Sequence, residues 1–309
     1  MTTTVAQPAA PIPDAAELSG LEPIQSIKRR WPALLGALLS LLMVIGLGHE
    51  LFDKGLAGLT QTAPVSPLFY LFFAAMYLLP PTMDYVIFRR LWGIPATGMV
   101  ALHRKRIAND VVLGYSGEAY FYAWARQRTT MVAAPFGAVK DVTILSAMAG
   151  NAITLALLAL ALPLASELLT PGQFKTGLTA AAIIVAMSLP FLLFSRRVFS
   201  LQRRELWWVF AMHALRLVGG TLFIALAWHF AMPAVTLGMW ILLAAARMLV
   251  SRLPFVPAKD VLFANFAILL IGQGQALSEL LAFVAALTLL GHVLLIAGFA
   301  LLGLVKKDL

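Results

Sequence analysis

The stretch from Asn109 to Arg128, NDVVLGYSGEAYFYAWARQR, gathers side chains that a chain of apolar spans has little reason to keep. Glu118 is a carboxylate able to meet a cation, a proton or an ammonium group. Arg126 and Arg128 are suited to a phosphate. Gly114 and Gly117 permit a turn or a close backbone approach before a helix that starts near Gly117. On that helix Glu118 and Tyr122 share a face, as do Tyr115 and Ala119, and the helix dipole favours a carboxylate in its first turn. Asn109, Gly114, Tyr115, Gly117, Glu118, Tyr122, Arg126 and Arg128 are therefore candidate binding residues. One reading makes this stretch a re-entrant hairpin that presents Glu118 to a hydrophilic cavity. The other makes it an interfacial amphipathic helix, with its tyrosines and Trp124 among headgroups and its arginines on anionic lipid.

Further candidates lie inside apolar segments. Arg216 and Arg247 each occupy the interior of a span, where a charge costs about 2.5–3.5 kcal/mol even on lenient insertion scales. Each should face a partner or water. Asp84 lies near Arg89 in sequence and reads as interfacial. Lys259 and Asp260 follow the breaks at Pro254 and Pro257, and Asp260 is placed to cap a new helix. The cluster His103-Arg104-Lys105-Arg106 fits either plain topology charges or phosphate holding, the latter if it shares a cavity with Glu118.

The elements that position these groups are hydrophobic. Of 309 residues, 61% are hydrophobic and 12% charged, and the mean hydropathy is +0.88. A soluble domain is about 45–50% apolar. The composition predicts an all-α, polytopic integral membrane protein. A disordered tail rich in Thr, Ala and Pro is expected over residues 1–25, before a single membrane domain over 26–309, and the cations Lys28, Arg29 and Arg30 before the first apolar run mark an uncleaved start-transfer helix. About eight membrane segments are expected, near residues 32–48, 67–88, 137–164, 174–194, 206–230, 235–250, 261–271 and 277–305. The Pro80-Pro81 pair predicts a kink in the second. The segment over 261–271 is short for a bilayer core of about 30 Å. It and the region around Glu118 are two expected re-entrant or broken elements, as in many transporters. With both termini cytoplasmic, twenty of the 23 Lys and Arg fall in inside loops, Arg247 of the sixth segment being counted with the loop over 247–259. Lys54 and Lys175 lie outside and Arg216 within a span. That asymmetry follows the positive-inside rule and accounts for the pI of 10.1 without nucleic acid.

With no cysteine, thiol catalysis and disulfides are excluded. No phosphate-binding loop, metalloprotease motif or nucleophile elbow is present, and the five histidines (49, 103, 213, 229 and 292) are scattered. No cofactor, metal or nucleic-acid partner is implied.

The order Asn109, Gly114, Gly117-Glu118, then Arg126-Gln127-Arg128 resembles a block of the lysylphosphatidylglycerol synthase transmembrane family, the membrane part of bacterial aminoacyl-phospholipid synthase/flippases. That family's second block, Pro-Gly-Gly-x-Gly before a short helix, reads Pro257-Ala258-Lys259-Asp260 here. The arginine that usually follows Gly-Glu is missing, and the soluble aminoacyl-transferase domain is not found. The resemblance implies a divergent, stand-alone member in the bacterial inner membrane that binds and translocates a phospholipid or lipid-linked amphiphile, its partners being anionic membrane lipids. The competing expectations are an enzyme component, either a membrane-embedded transferase acting on a lipid or the membrane subunit of one whose catalytic chain is separate, and an assembly subunit without transport; a homo-oligomer or a separate soluble enzyme is an expected partner.

Overall fold

The computed structural model describes residues 63–112, 116–128, 135–168, 170–193, 199–252, 259–272 and 274–305, with the helical positions 38, 41, 42 and 45. Among the described residues the chain is all-α. The helices are α1 (Pro67–Trp92), α2 (Gly98–Val111), α3 (Ser116–Arg128), α4 (Pro135–Leu168), α5 (Pro171–Leu193), α6 (Arg203–Ala231), α7 (Leu237–Arg252), α8 (Lys259–Ile271) and α9 (Gly274–Val305). Each expected apolar segment that falls within these residues forms a helix. The segment over 32–48 lies largely outside them.

Among the described residues four helices are long and apolar enough to cross a membrane: Pro67–Trp92, Gly137–Leu160, Arg203–Ala231 and Gly274–Leu302. Leu71, Leu160, Leu294 and Leu301 are each at least 60% exposed on them, so large apolar side chains point outward as well as inward. Such surfaces suit lipid, and in lipid they bring no hydrophobic gain from helix association. Packing and polar contacts then decide which helices meet.

α1 and α6 form the antiparallel spine. Phe72 near the start of α1 stacks on Phe230 at the end of α6, ring centroids 5.6 Å apart. Arg90 near the end of α1 reaches Glu205 at the start of α6 at 3.0 Å. α9 runs parallel to α1, from the Phe69–Phe283 contact to the Tyr77–His292 hydrogen bond of 2.7 Å. Pro67 starts α1, where a missing N–H costs nothing. Gly93 ends it at φ +62°, donating its N–H to the Arg89 carbonyl. Gly272, at φ +71°, turns α8 into α9.

Apolar side chains gather in two layers. Phe69, Trp228, Trp240, Phe263 and Phe283 centre one. Phe88, Leu102, Phe121, Trp124 and Val209 centre the other. Along α1 the first layer ends before Asp84 and the second begins at Ile87; along α6 Val209 precedes His213 and Arg216, and Ile224 follows them. The charges thus sit in a band between two greasy layers.

α1 continues as helix through Pro80-Pro81, the place of the expected kink. One feature departs from the expected outline. Tyr120 and Trp124 are buried against protein, at 6% and 9% exposure, rather than spread on a headgroup surface. α2 and α3 fold back on one another as a helical hairpin, packed against α1 and α4 and touched by α9.

Candidate functional site

The hairpin is built around Gly117. A Cβ there would collide with the Lys105 carbonyl oxygen and lie 2.7 Å from its carbon, so only glycine allows α3 to press on α2. The Gly117 N–H, one of the donors left over at a helix start, donates to Asn109 Oδ1 at 2.7 Å. Ser116 Oγ donates to the Ala108 carbonyl at 3.0 Å. Asn109 therefore ties the end of α2 to the start of α3. Asn109→Ala should cost about 1 kcal/mol of stability, read as a lower melting temperature of the purified protein. An unchanged melting temperature would mean that water replaces the amide.

This close approach sets Glu118 beside Lys105, with Oε1 3.5 Å from Nζ. Lys105 also donates to Asp84 Oδ2 at 2.7 Å. The other oxygen of Asp84 accepts from Arg216 Nη1 at 3.2 Å, and Arg216 Nη2 donates to Ser146 Oγ at 2.8 Å. Four ionic side chains from α1, α2, α3 and α6 thereby form one chain, Glu118–Lys105–Asp84–Arg216, ending on α4. Burial works against the charge of Lys105, but Asp84 and then Glu118 outweigh it and hold the ammonium above the ordinary lysine range. Two polar groups of the band stay unfilled. Glu118 Oε2 is buried without a hydrogen-bond partner. His213 is 1% exposed; the Val142 backbone faces its ring, yet neither ring nitrogen meets hydrogen-bonding geometry.

All of these groups border one cavity of about 620 Å3. Lys105, Arg106, Arg216, Arg247 and Arg252 line it, against the carboxylates Asp84, Asp110 and Glu118. The wall also contains Pro80 and Pro81. Neither has an N–H to give, so the carbonyls of Met76 and Tyr77 lose their helical donors. The guanidinium of Arg106 donates to the Tyr77 carbonyl and lies over the Tyr77 ring, 4.3 Å from its centroid. The prolines thus create the acceptor that holds a cavity arginine. Arg106 also approaches Asp110, at 3.5 Å, and His292 meets Asp110 at 3.3 Å. Gly150 admits the Arg252 guanidinium against α4, since a Cβ there would lie 2.7 Å from Nη1.

Of the residues singled out in the sequence, Asn109, Glu118, Arg216 and Arg247 line the cavity and Gly117 makes the hairpin possible. Tyr122 and Arg126 pair with each other at 3.3 Å, outside the cavity lining. Gly114 and Tyr115 lie outside the described residues, as do the side chains of Arg128, Lys259 and Asp260; the backbones of Lys259 and Asp260 open α8. Lys105 and Arg106 open into the same cavity as Glu118, the condition under which the basic cluster reads as phosphate-holding. Arg104 and His103 turn elsewhere: Arg104 donates to Tyr120 Oη at 3.5 Å, and His103 lies 5.9 Å from the Phe299 ring. Burial, with Arg106 and His292 nearby, pushes the His103 imidazole down to about 4, so it is neutral at pH 7.

Asp84, which reads as interfacial in the sequence, and His213, which reads as one of five scattered histidines, both line the site. Asp84 has partners 21 and 132 residues away. A carboxylate one turn after two prolines, inside an apolar run, is the signal that points to it. Asp141, also fully buried, serves the local backbone instead. Its Oδ2 accepts the amides of Ser200 and Leu201 at 2.6 and 2.7 Å, fixing the approach to α6.

Comparison with family models, curated proteins and solved structures finds no match to this chain.

Proposed function

We propose that the protein binds an anionic amphiphile, a phospholipid or lipid-linked molecule, in this cavity and carries its headgroup across the bilayer. The observation that carries the reading is the convergence of Lys105, Arg106 and Arg216 on one cavity in the charged band, between two apolar layers. A phosphate meets fixed donors there, where a low dielectric strengthens each interaction. Acyl chains remain outside, against the exposed leucines of the long helices. The hairpin α2–α3 serves as one re-entrant element and the short α8 as the other, in an arrangement of about eight segments with both termini cytoplasmic in a bacterial inner membrane. The order of Asn109, Gly117 and Glu118, with its resemblance to the lysylphosphatidylglycerol synthase transmembrane family, supports the same reading.

The test is lipid movement. Full-length protein is placed in phosphatidylcholine vesicles with a tail-labelled fluorescent phosphatidic acid, and dithionite reports the fraction reaching the outer leaflet. Protein should speed exchange at least tenfold over empty vesicles, and Arg216→Gln or Lys105→Gln should remove most of that gain. Equal exchange with and without protein would refute translocation.

A further inference from the structure

We propose that an anionic headgroup enters this cavity together with one proton, Asp84 being the resident counter-ion that the headgroup displaces and His213 the group that receives the proton. The inference rests on reading the cavity as a headgroup site and adds how such a site is driven.

Asp84 holds Lys105 at 2.7 Å and Arg216 at 3.2 Å, one cation per carboxylate oxygen. These are the donors a phosphate would need, and they come from different helices, α2 and α6. A headgroup oxyanion that takes both must displace the carboxylate. Asp84 is 6% exposed, so the freed carboxylate cannot be compensated by bulk water and requires another positive partner.

His213 stands ready as that partner. It lies three residues before Arg216 on α6 and lines the same cavity, with Arg216, then Asp84 and then Lys105 as its charged neighbours. On this side chain, 1% exposed, neither ring nitrogen meets hydrogen-bonding geometry, the Val142 backbone being the group that faces the ring. With Lys105 and Arg216 both on it, Asp84 has no charge left over for an imidazolium. Once the anion engages those cations, an imidazolium can donate to Asp84. The proton is given up by a buffer acid in solution, whose conjugate base stays there, and it ends on an imidazole nitrogen. No other bond forms or breaks. One negative charge and one proton enter together, so the charge of the band is unchanged.

The other groups facing this pair are accounted for element by element. α2 supplies Lys105, Arg106 and Asp110, the last held by Arg106 and by His292 of α9. α3 supplies Glu118, whose Oε1 lies 3.5 Å from Lys105. α6 supplies Arg216, and α7 supplies Arg247 and Arg252. Among the described residues α4 contributes the Ser146 hydroxyl and no titratable group to the wall; its Asp141 is occupied by Ser200 and Leu201. Glu118, with one unfilled oxygen, is the rival proton acceptor. The consequence is functional: a chain without a nucleotide-binding motif would draw on a proton gradient to move its amphiphile against a concentration difference.

Calorimetry on the full-length protein in detergent tests this, with dihexanoyl phosphatidylmethanol as probe. That phosphodiester carries one negative charge and does not titrate near pH 7. Titrations in two buffers of different ionisation enthalpy count the protons taken up. Wild type should take up about one proton per probe bound, and affinity should fall about tenfold per unit of pH between 7 and 8. His213→Gln should bind with no proton uptake and a flat pH profile. Asp84→Asn, lacking the competing carboxylate, should bind more tightly and also without proton uptake. Binding by wild type with no proton count would overturn the coupling and leave the headgroup site standing. Uptake that survives His213→Gln but vanishes in Glu118→Gln would overturn the assignment to His213. Equal, weak response to phosphatidylmethanol and dihexanoyl phosphatidylcholine would refute the headgroup site and this inference with it.

Discussion

Replacing Arg216 with methionine should destabilise the folded protein by about 3–5 kcal/mol, and adding Asp84→Asn should restore most of the loss. Asp84 has two cationic partners, Lys105 and Arg216, and it is nearly inaccessible to water. Without Arg216 the linked chain of ionic side chains holds Asp84 and Glu118 against Lys105 alone. A desolvated carboxylate is then left with half of its compensation, and Ser146 loses the donor it accepted. Neutralising Asp84 leaves Lys105 to Glu118, 3.5 Å away, and the band returns to balance. The readout is the midpoint of thermal or denaturant unfolding for wild type, the single variants and the pair. A double variant no more stable than Arg216→Met would show that Asp84 and Arg216 do not act on each other inside the fold.

A single methyl group at Gly117 should be nearly as damaging, by a different route. The atom a Cβ would meet is the Lys105 backbone carbonyl, which cannot swing aside as a side chain does. Gly117→Ala must therefore push α3 off α2. That also breaks the Gly117–Asn109 hydrogen bond and draws Glu118 from Lys105. Overpacking of this kind costs about 1–3 kcal/mol, and the lost polar contacts add to it. Gly98→Ala is the matched comparison, since its nearest neighbour is the flexible end of Ile94 at 2.8 Å. We expect Gly117→Ala to lower the melting temperature markedly more than Gly98→Ala, and to abolish binding of anionic lipid even in the fraction that stays folded. Similar effects at the two glycines would mean that the hairpin is looser than its geometry requires.

The apolar helices were legible in the sequence because length and hydropathy are local properties. Glu118 and Arg216 were legible too, since a charge in an apolar context stands out wherever its partner lies. What periodicity could not supply was pairing. Asp84 reads as interfacial when Arg89 is its only visible neighbour, yet Arg89 donates to the Tyr85 hydroxyl and Asp84 turns to α2 and α6. At Pro80-Pro81 the sequence shows the missing donors but not the arginine that satisfies the Tyr77 carbonyl. Arg126 reads as a phosphate ligand by its place in the motif, and its contact with Tyr122 on the same helix is one the motif does not show. The positive-inside count gives eight segments; four helices meet the length and hydropathy of a crossing, and the hairpin α2–α3 and the short α8 are the elements whose depth the charge pattern alone does not set.

The charged band, on this reading, borders a water-filled site for an anionic headgroup. The chain has no cysteine, so one thiol can be placed at will. Ser146→Cys is nearly isosteric and lies on the cavity wall, while Leu160→Cys, at a position 79% exposed on the outer face of α4, serves as the lipid-facing control. The measurement is the rate of labelling by a small, charged, membrane-impermeant methanethiosulfonate reagent in reconstituted vesicles, with and without dihexanoyl phosphatidylmethanol. A water-filled headgroup site predicts rapid labelling at 146, slow labelling at 160, and at least tenfold protection at 146 by the anionic lipid but not by dihexanoyl phosphatidylcholine. A thiol at 146 that reacts no faster than the one at 160, or that reacts equally with and without the anionic lipid, would contradict it.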